Sequence, residues 1–149
     1  MTVREVREGD RGEWLRMRQA LWPDCPPEQQ AEEVAGYLRL GPTGGRVFVA
    51  ERPGGGLCGF LEAFVRSVAE GSWDGPVGYI EGWYVDPDVR RRGVGRGLVE
   101  AAERWAVSIG CRQMGSDAEI GNAVSITAHT ALGYGEVNRL VHFRKVLGG

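Results

Sequence analysis

Apolar residues along the chain alternate between two spacings, and each change of spacing marks a predicted element. Val3 to Val6 reads as a short strand. After Gly9-Asp10 the apolar positions Trp14, Leu15, Met17 and Leu21 take helical spacing, and Pro23 ends the run. Pro27 suits the first turn of a second helix, which carries Val34, Tyr37 and Leu38 and stops at the glycines after Leu40. Arg46 to Glu51 and Leu57 to Arg66 then read as a hairpin around Pro53-Gly54-Gly55-Gly56, and Ser67 to Val77 as a surface loop. Tyr79 to Val85 is β-branched and aromatic. Val94, Leu98, Ala102, Trp105 and Ile109 line one face of a long helix closed by Gly110. A strand over Arg112 to Ala118, a helix over Asn122 to Leu132 with Gly133 at C′, and a last strand from Glu136 to about Val146 complete the chain. The order β-α-α-β-β-β-α-β-α-β predicts an α/β domain with a mixed sheet and helices on its faces, spanning 1–149 as one unit.

The segment between the central strand and the long helix, Arg90-x-x-Gly93-x-Gly95, carries the clearest chemistry. Glycines remove the Cβ atoms that would keep an anion from the backbone, and the first N–H groups of a helix have no intrahelical partner. Together with the helix dipole they form an anion site, to which Arg90, Arg91, Arg92 and Arg96 add charge. The other reading is a solvated basic turn. The Gly-Lys-Ser/Thr ending of a nucleotide-triphosphate loop is absent, as is the G-x-G-x-x-G spacing of a dinucleotide fold.

Composition narrows the class. The 149 residues are 42% apolar and 26% charged, as in globular domains. Eighteen basic against twenty acidic residues leave a net charge of −2, which gives no reason to expect nucleic acid as a partner. No run reaches the length of a membrane span and Met1-Thr2-Val3-Arg4 is no signal-peptide core, so a cytoplasmic protein without membrane attachment is expected. Cys25, Cys58 and Cys111 are scattered and odd in number, as for reduced thiols; with His129 and His142 they form no metal-ligand spacing, and no metal is expected.

The turn, as [Q/R]-x-x-G-x-[G/A] after a strand, resembles the pyrophosphate-binding motif of the GCN5-related N-acetyltransferases. Asn122, Ser125 and Gly133-Tyr134 match a second motif of that superfamily, with His129 where a tyrosine is expected. Trp14, Arg18 to Pro23, Ile80-Glu81-Gly82, Arg104-Trp105-Ala106, Gly110 to Asp117 and His129 to Tyr134 look like the aminoglycoside 6′-N-acetyltransferases. The resemblance implies a mixed, mostly antiparallel sheet flanked by helices, and acetyl-CoA as co-substrate. It implies that Trp83, Tyr84, Val85, Arg90, Arg91, Arg92, Gly93, Val94, Gly95 and Arg96, with Asn122 and Ser125, hold that co-substrate. It implies that Trp22 packs on an aminoglycoside antibiotic whose amines meet Glu81 and Asp117, and that the activity confers resistance. Relatives of this type pair their last strands between subunits, which implies a homodimer. One departure is that Gly59-Phe60 leads on to Ser67-Val68-Ala69-Glu70, where an aromatic contact is expected.

Acetyl transfer to an amine needs a group that takes the ammonium proton, a donor for the carbonyl oxygen and a leaving thiolate. Glu81 is the candidate base, or else a strand-end partner in an ion pair. Asp117 holds a second ammonium, or caps a loop. In the family a backbone N–H near Tyr84 or Val85 polarises the carbonyl. A thiol with an ordinary pKa of about 8.5 leaves with little help, so His129 serves either as general acid or only as a backbone-bonded pocket residue. Cys111 has no base beside it in sequence to make it a nucleophile. Trp22 is a ligand contact or a core tryptophan. Glu28, Glu32 and Glu33 attract cations at long range or are a solvated helix face. An acceptor other than an aminoglycoside, such as a polyamine, amino acid or protein N-terminus, and a non-catalytic acyl-CoA-binding module are the competing functions.

Overall fold

The computed structural model describes residues 1–41, 43–67 and 75–148, which divide into two compact units, Met1–Asp117 and Ala118–Gly149. In the first, Thr2–Glu5 (β1), Gly45–Glu51 (β2), Leu57–Arg66 (β3), Val77–Val85 (β4) and Met114–Ser116 (β5) form one five-stranded sheet in chain order. The first four strands are antiparallel, and β5 runs parallel to β4. The helices of this unit are Arg11–Leu21 (α1), Pro27–Leu38 (α2) and Val94–Ser108 (α3).

The strand period decides which helix covers which face. Val47, Val49 and Phe60 pack with Trp14 and Met17 of α1 and Val34 of α2 in one buried cluster. On the opposite face, a Cβ at Gly59 would meet Leu98 and Val94 of α3 at 3.1 and 3.4 Å. Alternate residues thus serve different helices. Pro27 does occupy the first turn of α2, as its fixed φ favours.

Some boundaries differ from the sequence expectation, the first strand among them at Thr2–Glu5 rather than Val3–Val6. The central strand starts at Val77, not Tyr79, because Gly78 lies inside it. A Cβ there would stand 2.5 Å from the Met114 sulfur and 3.0 Å from Ala106, so this glycine permits close packing and marks no turn. Only Ser67 and residues 75–77 of the expected loop are described; Val68, Ala69 and Glu70 of the expected aromatic contact lie outside the described residues. The fifth strand covers Met114–Ser116 alone, since its pairing reaches only Gly78–Ile80 of β4.

The second unit contains one helix, Ala123–Ala131 (α4). Asn122 caps its start, its side chain accepting from the Ser125 N–H at 3.0 Å, and Gly133 takes the left-handed φ of 90° expected of a C′ glycine. The last strand, expected from Glu136 to Val146, is not formed. Val137, Leu140, Val141, Phe143 and Val146 are all exposed. A strand is stable only when a neighbour completes its hydrogen bonds, and among the described residues no strand pairs with this segment.

Candidate active site

The register of β3 against β4 jumps at one place. Glu62 faces Gly82 and Ala63 faces Ile80, which leaves Glu81 as the extra residue of a β-bulge. A bulge re-aims the side chains beside it. Phe64 stacks on Tyr37 of α2, so Arg66 and Tyr79, which share its side of the ladder, face α2 as well. The bulge turns both Glu81 and Gly82 to that same face: Glu81 reaches Arg66, and Gly82 lies beneath Trp22.

The carboxylates predicted for the acceptor are held in one line of contacts. Glu81 Oε1 accepts from Arg66 Nη2 at 2.7 Å and from Nε at 3.1 Å. The Arg66 guanidinium lies over the Tyr79 ring, 3.5 Å from its centroid, and the Tyr79 hydroxyl donates to Asp117 Oδ2 at 2.7 Å. Burial, and then the hydrogen bond to Asp117, raise the Tyr79 pKa, so this phenol stays a proton donor. Arg66 and Tyr79 were missed in the sequence; an arginine at a strand end and an aromatic in a strand carry no local signal of such a link.

Trp22 ends α1, half-buried, its ring edge-on to Phe60 at 6.2 Å. Its position follows from a buried polar network that sequence reasoning did not find. Glu62 accepts from Trp14 Nε1 at 2.8 Å and pairs with Arg18; Arg18 also donates to Gln30 at 2.8 Å and pairs with Glu33. Gln30 Nε2 in turn donates to the Trp22 carbonyl at 3.2 Å, and the Arg18 guanidinium lies 4.8 Å from the Trp22 ring. Burial pushes the Glu62 carboxyl upward while Arg18 and Trp14 act against it. Of the α2 acidic cluster, Glu33 is therefore engaged by Arg18, whereas Glu28 and Glu32 are exposed.

Beyond the bulge, β4 runs into the glycine turn. Asp86 anchors that end: it is buried and accepts from Arg16, Arg52 and the Tyr84 hydroxyl, each at 3.0 Å. Burial raises its pKa, but these donors outweigh it and hold Asp86 below the usual carboxylate range. Arg91 and Gly93 both adopt left-handed backbone, φ 64° and 83°, and Gly93 becomes the N-cap of α3. Among the described residues no side chain caps this helix, so its first N–H groups are presented without an acceptor of that kind there. Gly95 lies against the Trp83 indole, 3.2 Å from where its Cβ would stand. Arg91, Arg92 and Arg96 are exposed around the turn, while Arg90 folds back to donate to the Val85 carbonyl at 2.9 Å. Val94 is buried and serves packing. Uncapped N–H groups, left-handed glycine and arginines together suit a pyrophosphate.

In the second unit, His129 Nδ1 lies 2.7 Å from the Ser125 carbonyl oxygen. A carbonyl only accepts, so Nδ1 carries the proton and Nε2 is the basic nitrogen of the neutral ring. His129 can thus act as an acid only as imidazolium. Cys111 is buried, and burial raises its pKa, which leaves it a thiol rather than a nucleophile. Among the described residues no group of His, Cys, Asp and Glu could hold a metal ion, and no helix is long and apolar enough to cross a membrane.

A sheet whose central strand parts from its parallel neighbour at a bulged glutamate, and then enters an uncapped glycine-led helix, defines an N-acetyltransferase. The chain belongs to the Acetyltransferase (GNAT) family, whose sequence pattern matches residues 12–134. It is 42% identical over 148 residues to an aminoglycoside N(6′)-acetyltransferase type 1 of Klebsiella aerogenes, covering 97% of this chain and 96% of that protein. Among solved structures it resembles AAC(6′)-Iy in complex with the bisubstrate analogue CoA-S-monomethyl-acetylneamine, with a TM-score of 0.89, 31% identity and 98% of each chain covered. It also resembles apo AAC(6′)-IG of Acinetobacter haemolyticus, with a TM-score of 0.90, 30% identity, and coverage of 99% of this chain and all of that one.

Proposed function

We propose that the protein is an aminoglycoside 6′-N-acetyltransferase using acetyl-CoA, acting as one domain over residues 1–149 and conferring resistance to such antibiotics. The observation that carries this reading is the bulge, which turns Glu81 to the face where Trp22 packs on Gly82. The relatives named for this activity support it. Acetyl-CoA supplies an activated acetyl group. Trp83, Tyr84 and Val85, the backbone from Arg90 to Arg96, and Asn122 and Ser125 are the residues assigned to hold it. Glu81 takes the proton from the acceptor amine, Asp117 with Tyr79 holds a second ammonium, and Trp22 supports a sugar ring. His129 protonates the leaving thiolate as imidazolium.

Incubation with acetyl-CoA and tobramycin or kanamycin is expected to release free thiol and add one acetyl group at the 6′-amine, read by mass spectrometry. Release with small amines or peptides but no aminoglycoside would replace the acceptor; binding of CoA with no release for any amine would leave a non-catalytic module.

The working form in this reading is a cytoplasmic homodimer. Exposed Val137, Val141 and Phe143 support it, because a second copy would offer their segment the neighbouring strand that no strand among the described residues gives it. Light scattering at micromolar concentration is expected to give twice the chain mass; a monomer would refute the dimer.

A further inference from the structure

We propose that Arg66 is a resident cation of the acceptor site, a charge filter that sets which amines the enzyme accepts. The inference rests on Glu81 facing the acceptor. Arg66 closes β3 and delivers two hydrogen bonds to one oxygen of Glu81, at 2.7 and 3.1 Å. Among the described residues nothing donates to the other oxygen of that carboxylate. The pair is neither sealed nor loose. The two side chains are 42% and 28% exposed, within reach of a ligand. The guanidinium is also fixed by stacking 3.5 Å from the Tyr79 ring centroid, and Tyr79 is itself tied to Asp117. Burial works against the charge on Arg66, and the Glu81 hydrogen bond and charge more than offset it, so the guanidinium is cationic throughout the working range.

An acceptor ammonium approaching Glu81 therefore meets a positive charge already in place. Displacing the guanidinium from Oε1 costs the existing pair, and binding beside it at the other oxygen sets two cations close together. Either way the acceptor binds less tightly, and a second ammonium placed toward Asp117 meets the same guanidinium across the Tyr79 ring. The penalty grows with the number of charges on the acceptor. Arg66 thus disfavours polycations relative to singly charged amino sugars, while Glu81 alone would favour them.

The test compares wild type, Arg66→Gln and Arg66→Lys on two acceptors, tobramycin and the singly charged 6-amino-6-deoxyglucose. Arg66→Gln is expected to lower KM for tobramycin by about 3- to 10-fold at low salt, the scale of one accessible charge pair. The gain should fade as salt is raised, since screening removes what the mutation removes. KM for the monocation should fall by a smaller factor, since it brings only one ammonium to the pair, and kcat should hold because Glu81 itself is unchanged. Arg66→Lys keeps the charge and should keep the wild-type preference, and thermal melting should show both variants folded. A tobramycin KM unchanged or raised in Arg66→Gln overturns the filter, as does a fall in kcat at constant KM, which would make Arg66 a support for Glu81. A wild type inactive on every amine would instead refute the acceptor reading beneath it.

Discussion

Trp22 and Gly82 are matched: a Cβ added to Gly82 would stand 2.5 Å from Cη2 of the Trp22 ring. The glycine follows the bulged Glu81, so the indole lies against the strand directly beside the candidate base. Gly82→Ala must push Trp22 out. Overpacking of this kind costs about 1–3 kcal/mol of stability. KM for tobramycin is expected to rise about tenfold, as for lost binding shared by ground and transition states, with acetyl-CoA affinity unchanged. Steady-state kinetics with calorimetry checks both.

Gly93 and Gly95 are needed for different reasons. At Gly93 nothing would obstruct a Cβ, but the backbone is left-handed, so Gly93→Ala should destabilise by about 1–2 kcal/mol. Gly95→Asp presses on Trp83 and sets a carboxylate at the uncapped start of α3, and is expected to abolish CoA binding in calorimetry. Arg90→Ala loses one hydrogen bond to Val85, and affinity should fall less than about tenfold. Wild-type CoA affinity in Gly95→Asp would remove the phosphate from this turn.

Glu81 and Asp117 separate kinetically. Glu81→Gln keeps the shape and loses the base, so kcat at neutral pH should fall by about 10²–10⁴. The defect should shrink toward high pH, where the amine loses its proton unaided. Asp117→Asn should raise KM for the aminoglycoside more than it lowers kcat, and the difference from wild type should narrow with salt. A Glu81→Gln defect that stays constant up to high pH would make Glu81 a positioning group.

Asp86 links stability to pH. Its folded pKa is depressed below the ordinary 3.8, so its contribution is fully present above that value and is lost as pH falls through the folded one. Asp86→Asn keeps the size but weakens the bonds from Arg16, Arg52 and Tyr84. It should cost about 1–3 kcal/mol at pH 7, a drop of roughly 2–4 °C in Tm per kcal/mol for a chain of this size. The gap should close in strong acid, as calorimetric melts against pH would show.

Local patterns were enough to read the hairpin, the long helix and the turn. Leu57–Arg66 has its predicted bounds, Gly133 has its C′ conformation, and α3 starts at Val94, since these features are set within a few residues by side-chain period and backbone freedom. Resemblance picked out Trp22, Glu81 and Asp117, but their arrangement depends on residues distant in sequence. The bulge at Glu81 exists only in the register of β3 on β4, and Gly78 reads as a boundary until Met114 and Ala106 are brought against it. Glu62 sits 44 residues from Arg18 and 48 from Trp14, so no spacing announces their buried bonds. The segment after Gly135 marks the other limit. Its alternation has the period of a strand, yet a strand requires a neighbour for its backbone hydrogen bonds, and among the described residues no strand provides one.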